Sequence, residues 1–464
     1  MRVSLEELRS RLGRWSAGRG PLSVLLAARL RQMIDDGELV PDAVLPPDRT
    51  LAAGLSVGRT TVVAAYDLLA QEGRIVRRQG SGTRVAPAPA PLRRRDTANP
   101  LFRHLLEPAD HVIQLVCAAP DAMPAVVADA YATALRRGIT DDIGYHPAGH
   151  PRLRAALAER YAVDPATVLV TTGAQQALSL IASALVAPGD RVVVEAPTYP
   201  GALEVFRDAA AVLRPVPTTM DGLDVGALVR ALGERPALAY LVPTNHNPTG
   251  TSVSDLARRR IAAAAAGTVI VEDEALADLG FTEPLPAISR YAPDRVLTIG
   301  SLAKTVWGGL RIGWVRGPEP LIRRLARAKA VHDLGTDVPA QLAAAELVST
   351  LDDLRAQRAA LLRHRHDHLC ALLRDLLPTW RFRPADGGQT LWVELPHGDG
   401  NSYAQTALRH GVAVLSGTTL DPNGDSARFL RIPFLSPPDV LTDATQRLAS
   451  AWREYAAGPR SLVG

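Results

Sequence analysis

Apolar residues near the front of the chain recur at helical spacing and predict a first helix. The pattern follows Pro21, a favourable residue for a first helical turn, and it ends at Gly37. Its members are Leu22, Leu25, Leu26, Leu30, Met33 and Ile34. The prolines after Leu45 then interrupt the chain, and Asp48 can cap a short second helix over residues 49–55.

A third helical pattern begins at Arg59, after a tight turn around Gly58. Its apolar stripe consists of Val62, Ala65, Tyr66 and Leu69, which leaves Arg59, Thr60 and Thr61 exposed at the helix N-terminus. Two short helices joined by a short turn, with donors at the start of the second, are typical of a helix-turn-helix, because a helix N-terminus suits phosphate and base-edge contacts. Two strand patterns around a Gly-rich tip follow, so residues 1–86 are predicted to form a winged helix.

From residue 112 onwards, apolar runs of strand length alternate with helical patterns. This alternation predicts an α/β domain with a mostly parallel sheet covered by helices on both faces, and with its site at the carboxyl ends of the strands. The predicted protein is therefore multidomain. A mostly α-helical winged helix-turn-helix occupies residues 1–86, a Pro- and Arg-rich linker residues 87–111, and the α/β domain residues 112–457.

Composition is that of a globular protein, with 47% hydrophobic and 22% charged residues. No apolar run is long enough to cross a bilayer, and the N-terminus lacks the apolar core of a signal peptide, so we expect a cytoplasmic protein without a membrane partner. Cys117 and Cys370 lack metal-ligand spacing; we expect buried thiols and no metal site. Residues 1–96 hold 16 arginines against 10 acidic residues, so the front segment favours an acidic partner such as nucleic acid.

Almost all 52 basic residues are arginines, and only Lys304 and Lys329 are lysines. Arginine cannot lose its proton and attack a carbonyl, so a retained lysine suggests a chemical role. Lys329 lies in a helical pattern whose basic residues are interpreted as a solvated face. Lys304 follows an apolar run that ends at Gly300 and precedes two glycines and Arg311, an arrangement suited to a Schiff base beside a phosphate. The alternative is a lysine that survives by chance in an ordinary loop.

Residues at the other predicted strand ends match the needs of pyridoxal 5'-phosphate bound to Lys304. Asp273 is placed to keep the pyridine nitrogen protonated, Tyr199 to cover the ring, and Asn247 to donate to the ring oxygen. The proposed phosphate donors are Gly173, Ala174 and Gln175 at a helix N-terminus, together with Ser301 and Arg311.

Some of these residues also have ordinary interpretations. Tyr199 can be core packing and Arg431 half of a surface ion pair, and the carboxylates of Glu272 and Glu274 can be solvated. The histidines of the Pro/Gly loop, His146 and His150, are interpreted as surface residues rather than catalysts.

The front motifs resemble the DNA-binding domain of the GntR family. They are Leu45-Pro-Pro-Asp-Arg-Thr-Leu-Ala, Val57-Gly-Arg-Thr-Thr-Val, Leu68-Leu-Ala-Gln-Glu-Gly and Gly80-Ser-Gly-Thr-Arg-Val. The resemblance implies binding to a double-stranded DNA operator, with contacts from Arg49, Arg59, Thr60, Thr61 and the wing-tip Gly80. The alternative is a small module that only caps an enzyme and whose arginines are solvated.

The motifs of the large segment resemble fold-type I aminotransferases of the aspartate aminotransferase superfamily. They are Asn247-Pro-Thr-Gly, Ser301-Leu-Ala-Lys and Gly309-Leu-Arg-Ile-Gly. The resemblance implies that Lys304 is the catalytic lysine that forms the internal aldimine with pyridoxal 5'-phosphate. It also implies that Tyr145 reaches the phosphate of a neighbouring subunit, and hence a dimer, and that Arg431 binds a substrate carboxylate.

One position departs from this pattern, because Leu276 stands three residues after Asp273, where these aminotransferases usually have a tyrosine. A leucine cannot form a hydrogen bond with the ring oxygen and so cannot control the proton on which transamination depends. We therefore expect vestigial catalysis rather than a working enzyme.

A GntR winged helix joined by a long linker to an aminotransferase-like domain resembles the MocR subfamily of bacterial transcription regulators, and the wording around Asp273 and Lys304 resembles its YczR-like branch. The resemblance implies a domain-swapped homodimer in which the cofactor, with an amine or B6-vitamer effector, changes how the winged helices meet the operator. One alternative is an active aminotransferase with an appended DNA-binding domain. Another is a regulator whose large domain is a dimerisation scaffold without cofactor.

Overall fold

The protein is described by a computed structural model, which shows residues 3–12, 15–16, 21–35, 38–40, 42–78, 82–86, 111–120, 122–138, 142–265 and 267–457. The chain divides into two compact units. The smaller unit contains the front of the chain up to residue 98, with the short segments 186–191 and 207–212, and the larger unit contains the remainder.

The front of the smaller unit is a helical module with a small sheet. Its described helices are α1 (Leu5–Leu12), α2 (Leu22–Asp35), α3 (Asp48–Leu55) and α4 (Arg59–Gln71). Its described strands are β1 (Val44–Leu45), β2 (Ile75–Arg78) and β3 (Gly82–Val85), arranged in the order β1-β3-β2 with antiparallel pairing. The helix-turn-helix and the wing are confirmed, whereas the sequence patterns did not predict α1.

The turn between α3 and α4 follows from local backbone preferences. Ser56 adopts a left-handed conformation with φ 56°, and its N–H closes α3, while Gly58 is extended and starts α4. The predicted stripe of α4, Val62, Ala65, Tyr66 and Leu69, is buried as expected. Asp48 differs from the prediction, because it is the first residue of α3, Pro47 is the cap, and the Asp48 carboxylate pairs with Arg59 instead.

Several predicted features lie outside the described residues. They are Gly37 at the predicted end of the first helix, the wing tip with Gly80, and the linker from residue 87 to residue 110.

The larger unit contains alternating strands and helices. Its described helices are α5 (Ala125–Arg136), α6 (Pro151–Tyr161), α7 (Ala174–Leu185), α8 (Pro200–Asp208), α9 (Val225–Gly233), α10 (Asp255–Ala264), α11 (Glu319–Asp333), α12 (Val338–Ser349), α13 (Leu351–Leu376), α14 (Gly400–Arg409) and α15 (Pro438–Ala456). Its described strands are β4 (Ile113–Leu115), β5 (Val168–Thr171), β6 (Arg191–Ala196), β7 (Val212–Thr219), β8 (Gly222–Leu223), β9 (Leu238–Leu241), β10 (Val269–Asp273), β11 (Val296–Ser301), β12 (Gly313–Arg316), β13 (Arg381–Phe382), β14 (Thr390–Glu394), β15 (Val412–Ser416) and β16 (Phe429–Pro433).

The main sheet confirms the predicted α/β architecture. Its strand order is β5-β12-β11-β10-β9-β6-β7-β8, and β6, β9, β10 and β11 run parallel to one another. The strand β12 is antiparallel to both of its neighbours, β11 and β5. The carboxyl ends of β10 and β11 therefore lie side by side, with Asp273 in register with Ile299.

A second sheet, in the order β13-β14-β16-β15-β4, was not predicted from the sequence. It is mostly antiparallel, although β4 pairs in parallel with β15. Leucines of α13 and α15 pack in one buried cluster with this sheet, so the carboxyl-terminal part of the unit has its own core. Arg431 is carried by β16.

Burial corrects several sequence interpretations. Lys329 is not on a solvated face; it is fully buried on α11 and pairs with Asp333 one helical turn later. Cys370 is buried, whereas Cys117 is exposed, because it lies in the irregular segment after β4. Among the residues that the structure describes, no helix combines the length and apolar character needed to cross a membrane.

Two other surface interpretations are also wrong. Glu272 is fully buried, because its strand β10 is central in the sheet. His150 is 2% exposed, and its ring nitrogen accepts from the N–H of Arg152 at the start of α6.

Candidate functional site

Most of the candidate cofactor residues meet in one cavity of the larger unit. Its volume is about 260 Å³, and it opens at the carboxyl ends of the parallel strands. Its walls include Gly173, Ala174, Gln175, Tyr199, Asn247, Asp273, Ser301, Lys304, Arg311 and Arg431. Residues spread over more than 250 positions of the sequence are thus brought together, as expected for a site at the strand ends of an α/β sheet.

Lys304 lies three residues after the end of β11 and faces this cavity. Burial lowers the pKa of its ammonium group, although the nearby Cys117 and Asp273 oppose that change. The ammonium donates a hydrogen bond to the backbone carbonyl of Ala118. A lysine with a lowered pKa is a better nucleophile toward a carbonyl, because more of it is neutral near pH 7.

Asp273 is held at the end of β10 by two donors. The hydroxyl of Tyr240 donates to Oδ2 at 2.8 Å, and the N–H of Ala275 donates to Oδ1 at 3.0 Å. Burial raises the pKa of Asp273, and both hydrogen bonds oppose that rise because they favour the carboxylate. The result is an acidic group of fixed orientation deep in the cavity, as the partner of a pyridine nitrogen must be.

The phosphate-binding candidates form a cup at the start of α7. Gly173 has φ +111°, and a Cβ there would approach the Arg311 guanidinium to 3.0 Å. Nη2 of Arg311 donates to the Thr172 carbonyl at 2.5 Å, and Ser301 accepts from the N–H of Ala303 at 3.1 Å. Glycine, a helix N-terminus and a guanidinium at one point make a concave anion site, so these residues fit a phosphate group.

Tyr199 and Gln175 form one wall of the cavity. The Tyr199 hydroxyl donates to Oε1 of Gln175 at 3.0 Å, and burial together with the Asp273 charge raises the pKa of Tyr199 to about 12. The phenol therefore stays protonated, and its ring is held as a flat surface.

Arg431 and Asn247 lie on the other side. Arg431 is only 1% exposed, so it is not half of a surface pair, and burial lowers its pKa to about 10. Its Nη1 donates to Oδ1 of Asn247 at 3.4 Å, and its Nη2 donates to the Val116 carbonyl. Its Nε has no acceptor among the described residues. A buried guanidinium with a free donor fits an incoming carboxylate.

Tyr145 is not among the residues that line the cavity, and it is 61% exposed. Leu276 does line the cavity, and it also packs against the core of the second sheet.

Sequence reasoning missed several residues that line the cavity, among them Tyr240, Cys117, Gln389 and Thr390. Tyr240 is one of them; it stands opposite Val271, next to Asp273 on the neighbouring strand, and a tyrosine within an otherwise apolar strand was the available signal. Cys117 is another, because its place in the cavity wall depends on the pairing of β4 with β15.

The candidate DNA contacts lie on the first turns of α3 and α4. Arg49, Arg59 and Thr60 are exposed, and Thr61 is half-buried. The Arg59 Nε lies 2.9 Å from Oδ2 of Asp48, and hydrogen bonding to Arg59 lowers the pKa of Asp48 despite some burial. Arg59 therefore has an internal partner that competes with phosphate or base oxygens.

Comparison with known protein families accounts for both parts of the chain. The family "Aminotransferase class I and II" matches residues 120–448, and the family "Bacterial regulatory proteins, gntR family" matches residues 22–85. Members of the first family depend on pyridoxal phosphate, and the GntR domain implies DNA binding.

Individual relatives match most of this chain and most of their own length. YisV of Bacillus subtilis, an HTH-type transcriptional regulator, is 32% identical over 82% of this chain and 86% of its own length. PdxR of Corynebacterium glutamicum, an HTH-type pyridoxine biosynthesis transcriptional regulator, is 31% identical over 78% of this chain and 81% of its own.

The solved structures that resemble this chain include aminotransferases. LysN, the α-aminoadipate aminotransferase of Thermus thermophilus, matches with a TM-score of 0.72 and 30% identity over 77% of this chain and 95% of its own. A winged helix of the GntR type thus precedes an aminotransferase-like domain in this chain, and relatives that match most of it are named as transcription regulators. The chain belongs to the MocR subfamily of GntR-family transcription regulators.

Proposed function

We propose that this regulator carries pyridoxal 5'-phosphate on Lys304 and couples the state of that cofactor to operator binding. One observation carries the proposal: one of the two lysines in 464 residues lies in a cavity whose walls also hold Asp273, Arg311 and Arg431. An acid, an anion cup and a buried guanidinium with an unused Nε donor, all around a single amine, are the set of groups that this cofactor and an amino-acid ligand require.

The bound cofactor would supply an electrophilic carbon and an electron sink. The protein side chains then have separate tasks. Asp273 would hold a proton at the pyridine nitrogen, and Arg311 and Ser301 would bind the phosphate. Tyr199 would cover the ring and Asn247 would orient its oxygen, while Gly173, Ala174 and Gln175 would complete the phosphate cup.

Regulation rather than turnover is favoured by Leu276. Its side chain lies in the cavity wall at the position where aminotransferases usually carry a tyrosine, and a hydrocarbon cannot direct a proton. The relative PdxR is named as a pyridoxine biosynthesis transcriptional regulator, and this also favours regulation over turnover. We therefore infer that the catalytic function is vestigial and that an amine or a B6 vitamer acts as effector.

An active aminotransferase with an appended DNA-binding domain is the second candidate. Arg431 favours it, because a buried guanidinium with an unused Nε is what an amino-acid carboxylate needs. The likeness to LysN, which was solved with N-(5'-phosphopyridoxyl)-L-leucine, points the same way. Steady turnover of an amino acid by the purified protein would support it.

Coupling to DNA requires that the cofactor bind two arrangements of the protein with different affinity, because only this difference can shift operator binding. We infer a domain-swapped homodimer, since a MocR-type regulator presents two winged helices to two half-sites. Tyr145 supports a dimer. Its side chain is exposed and does not line the cavity of its own chain, and the family resemblance assigns it to the phosphate of a partner subunit.

The test uses full-length protein and the intergenic DNA upstream of its own coding sequence. The native chain should bind pyridoxal 5'-phosphate with a yellow colour and, after borohydride reduction, carry one pyridoxyl group on the peptide that contains Lys304. Lys304→Ala and Lys304→Arg should lose both the group and the cofactor-dependent change in operator affinity. Lys304→Arg is the matched control, because arginine keeps a positive charge but has no amine that can form a Schiff base.

Two results would contradict the proposal. Retention of the vitamin and an unchanged operator response in Lys304→Ala would remove Lys304 from the mechanism. For the winged helix, we expect Arg59→Ala to bind the operator more weakly and with a smaller salt dependence, by about one phosphate contact. Unchanged operator affinity in this variant would show that the assigned DNA contacts are wrong.

A further inference from the structure

A second cavity of about 1030 Å³ lies in the larger unit, apart from Lys304. Its walls come from the carboxyl end of α6, from β11 and β12, and from the loop 284–290. Ser301 lies between the two cavities, because it lines both. The volume is ample for a metabolite, since ligand pockets typically occupy about 300–1,000 Å³.

The polar centre of this cavity is Arg316, on β12. Its guanidinium carbon lies 3.8 Å from the centroid of the Tyr161 ring, so the group is stacked on an aromatic face. Burial lowers the pKa of Arg316, and its Nε has no hydrogen-bond acceptor among the described residues. Arg160 lines the same cavity; its Nη2 pairs with Asp352 at 2.8 Å, but its Nε also has no acceptor in the described part of the chain.

The carboxylates around Arg316 accept hydrogen bonds from donors other than Arg316. Glu272 accepts hydrogen bonds from three groups, which are the N–H groups of Ile288 and Ser289 and the hydroxyl of Thr298. Glu274 accepts from Thr244 and Arg258, and burial together with the charge of Glu272 raises the pKa of Glu274 to about 8. The raised pKa makes Glu274 a weak counterion at neutral pH, and its carboxyl group bonds Arg258 rather than Arg316.

The remaining acidic residue deep in the cavity is Asp278. Burial raises its pKa, and the positive charges that oppose this rise are those of Arg160 and Arg355. Further acidic residues of the lining are Asp164, Asp294 and Glu319, and in the described part of the chain none of them forms an ion pair or hydrogen bond with Arg316. The guanidinium of Arg316 is thus half-buried, and although the charges of Glu272 and Glu274 act on it, no carboxylate forms an ion pair with it among the residues described.

We propose that this cavity, here named the Arg316 cavity, binds a small organic anion, a carboxylate or a phosphate monoester, through the guanidinium groups of Arg316 and Arg160. A half-buried guanidinium without a hydrogen-bonded anion is incompletely compensated, and a planar guanidinium binds carboxylate or phosphate oxygens two at a time. Val163, Leu285 and Pro293 in the cavity wall supply apolar surface for the rest of the ligand. The site would give the regulator a second chemical input, separate from the cofactor.

The test titrates full-length protein with inorganic phosphate and with succinate, by calorimetry and by the thermal unfolding midpoint, at constant ionic strength. The protein is first loaded with pyridoxal 5'-phosphate and reduced with borohydride, so that the cup near Arg311 is filled. If no cofactor is retained, the proposed function fails independently, and an Arg311→Met background then removes anion binding at the cup.

We expect one anion per chain in the native protein and affinity weaker by about tenfold or more in Arg316→Met, because the loss of a charged hydrogen-bonding pair exceeds about 1.4 kcal/mol. Arg290→Met is the matched control, since Arg290 is exposed on the rim and should leave binding unchanged. Without anion, Arg316→Met should unfold at the same or a higher temperature, because it removes a half-buried guanidinium that forms no ion pair among the described residues.

Three outcomes would overturn the proposal. Equal binding to the native chain and to Arg316→Met would mean an adventitious ion only, and no saturable binding of either anion would remove the ligand class. A lower unfolding temperature of Arg316→Met without anion would assign Arg316 a structural role. If that variant does not fold, Arg160→Met gives the same comparison of anion binding, with the same two binding outcomes; its unfolding temperature is not compared, because Arg160 also pairs with Asp352.

Discussion

The ammonium of Lys329 bridges both carboxylate oxygens of Asp333, at 2.8 and 2.6 Å. Asp333 also accepts from Gln176 at 2.6 Å, and Gln176 accepts from the N–H of Thr172 at 2.8 Å. The Thr172 carbonyl in turn accepts from Arg311. The second lysine is therefore connected, through a chain of hydrogen bonds, to the wall of the phosphate cup.

Lys329→Met should lower the free energy of unfolding by about 2 kcal/mol, because it leaves Asp333 without its buried partner. Urea denaturation of the full-length protein measures the change. Arg323→Met is the matched control, since Arg323 and Glu319 form an exposed pair with the same spacing on the same helix, at 3.2 Å. That control should cost less than about 0.5 kcal/mol. Equal costs for both variants would contradict a special role for the buried pair.

Asp48→Asn should strengthen operator binding by about two- to fivefold, because it frees Arg59 from its internal ion pair and removes a negative charge near the DNA phosphates. Fluorescence anisotropy at a fixed salt concentration measures it. Asp67→Asn serves as control, because the Asp67 carboxylate is engaged by Arg77, outside the first turns of α3 and α4. Weaker or unchanged binding of Asp48→Asn would show that Arg59 is not held back by Asp48.

Leu276→Tyr should increase half-transamination by about tenfold or more, because a phenol at this position can hydrogen-bond the ring oxygen of the proposed cofactor. Absorbance spectroscopy follows conversion of the pyridoxal form to the pyridoxamine form with an amino acid. Leu276→Phe controls for size without the hydroxyl. If both variants behave like the native chain, the missing tyrosine is not what limits catalysis.

Glu274 should make stability depend on pH. Its pKa in the folded protein is about 8, raised by burial and by Glu272, whereas an unfolded Glu titrates near its ordinary value. Between those two values the folded state binds the extra proton, so the native chain loses stability as pH rises through this window. Glu274→Gln lacks this titrating group. The difference in free energy of unfolding between the variant and the native chain should therefore grow in favour of the variant until about pH 8 and then level off. A constant difference across pH, matching exposed Glu283→Gln, would contradict the raised pKa.

The sequence predicted the main sheet and the winged helix because both rest on local patterns. Helical stripes such as the one in α4 and apolar runs such as β10 are visible within short windows. The second sheet was missed because β4 pairs with β15, and their residues lie about three hundred positions apart. No local signal reports such a pairing.

The sequence patterns also failed to predict which polar side chains are buried. Lys329 follows Arg323, Arg324 and Arg327 on the same helix, so composition suggested a solvated face, although the helix buries Ile322, Leu325 and Lys329. Arg316 is a similar case: nothing around it in the sequence distinguishes it from surface arginines, and only the fold places it over Tyr161. By contrast, the candidate cofactor residues stood in recognisable motifs, and the cavity brings together all of them except Tyr145.

The near absence of lysine has a consequence for selectivity. Pyridoxal phosphate is an aldehyde that reacts with any accessible amine, and most proteins present many lysine side chains to it. Here one lysine is enclosed against Asp333 and the other lies in the cavity, so the folded chain offers the vitamin few places for unspecific modification. A sensor built in this way would register the vitamin at one position, with little background from adducts elsewhere on its surface.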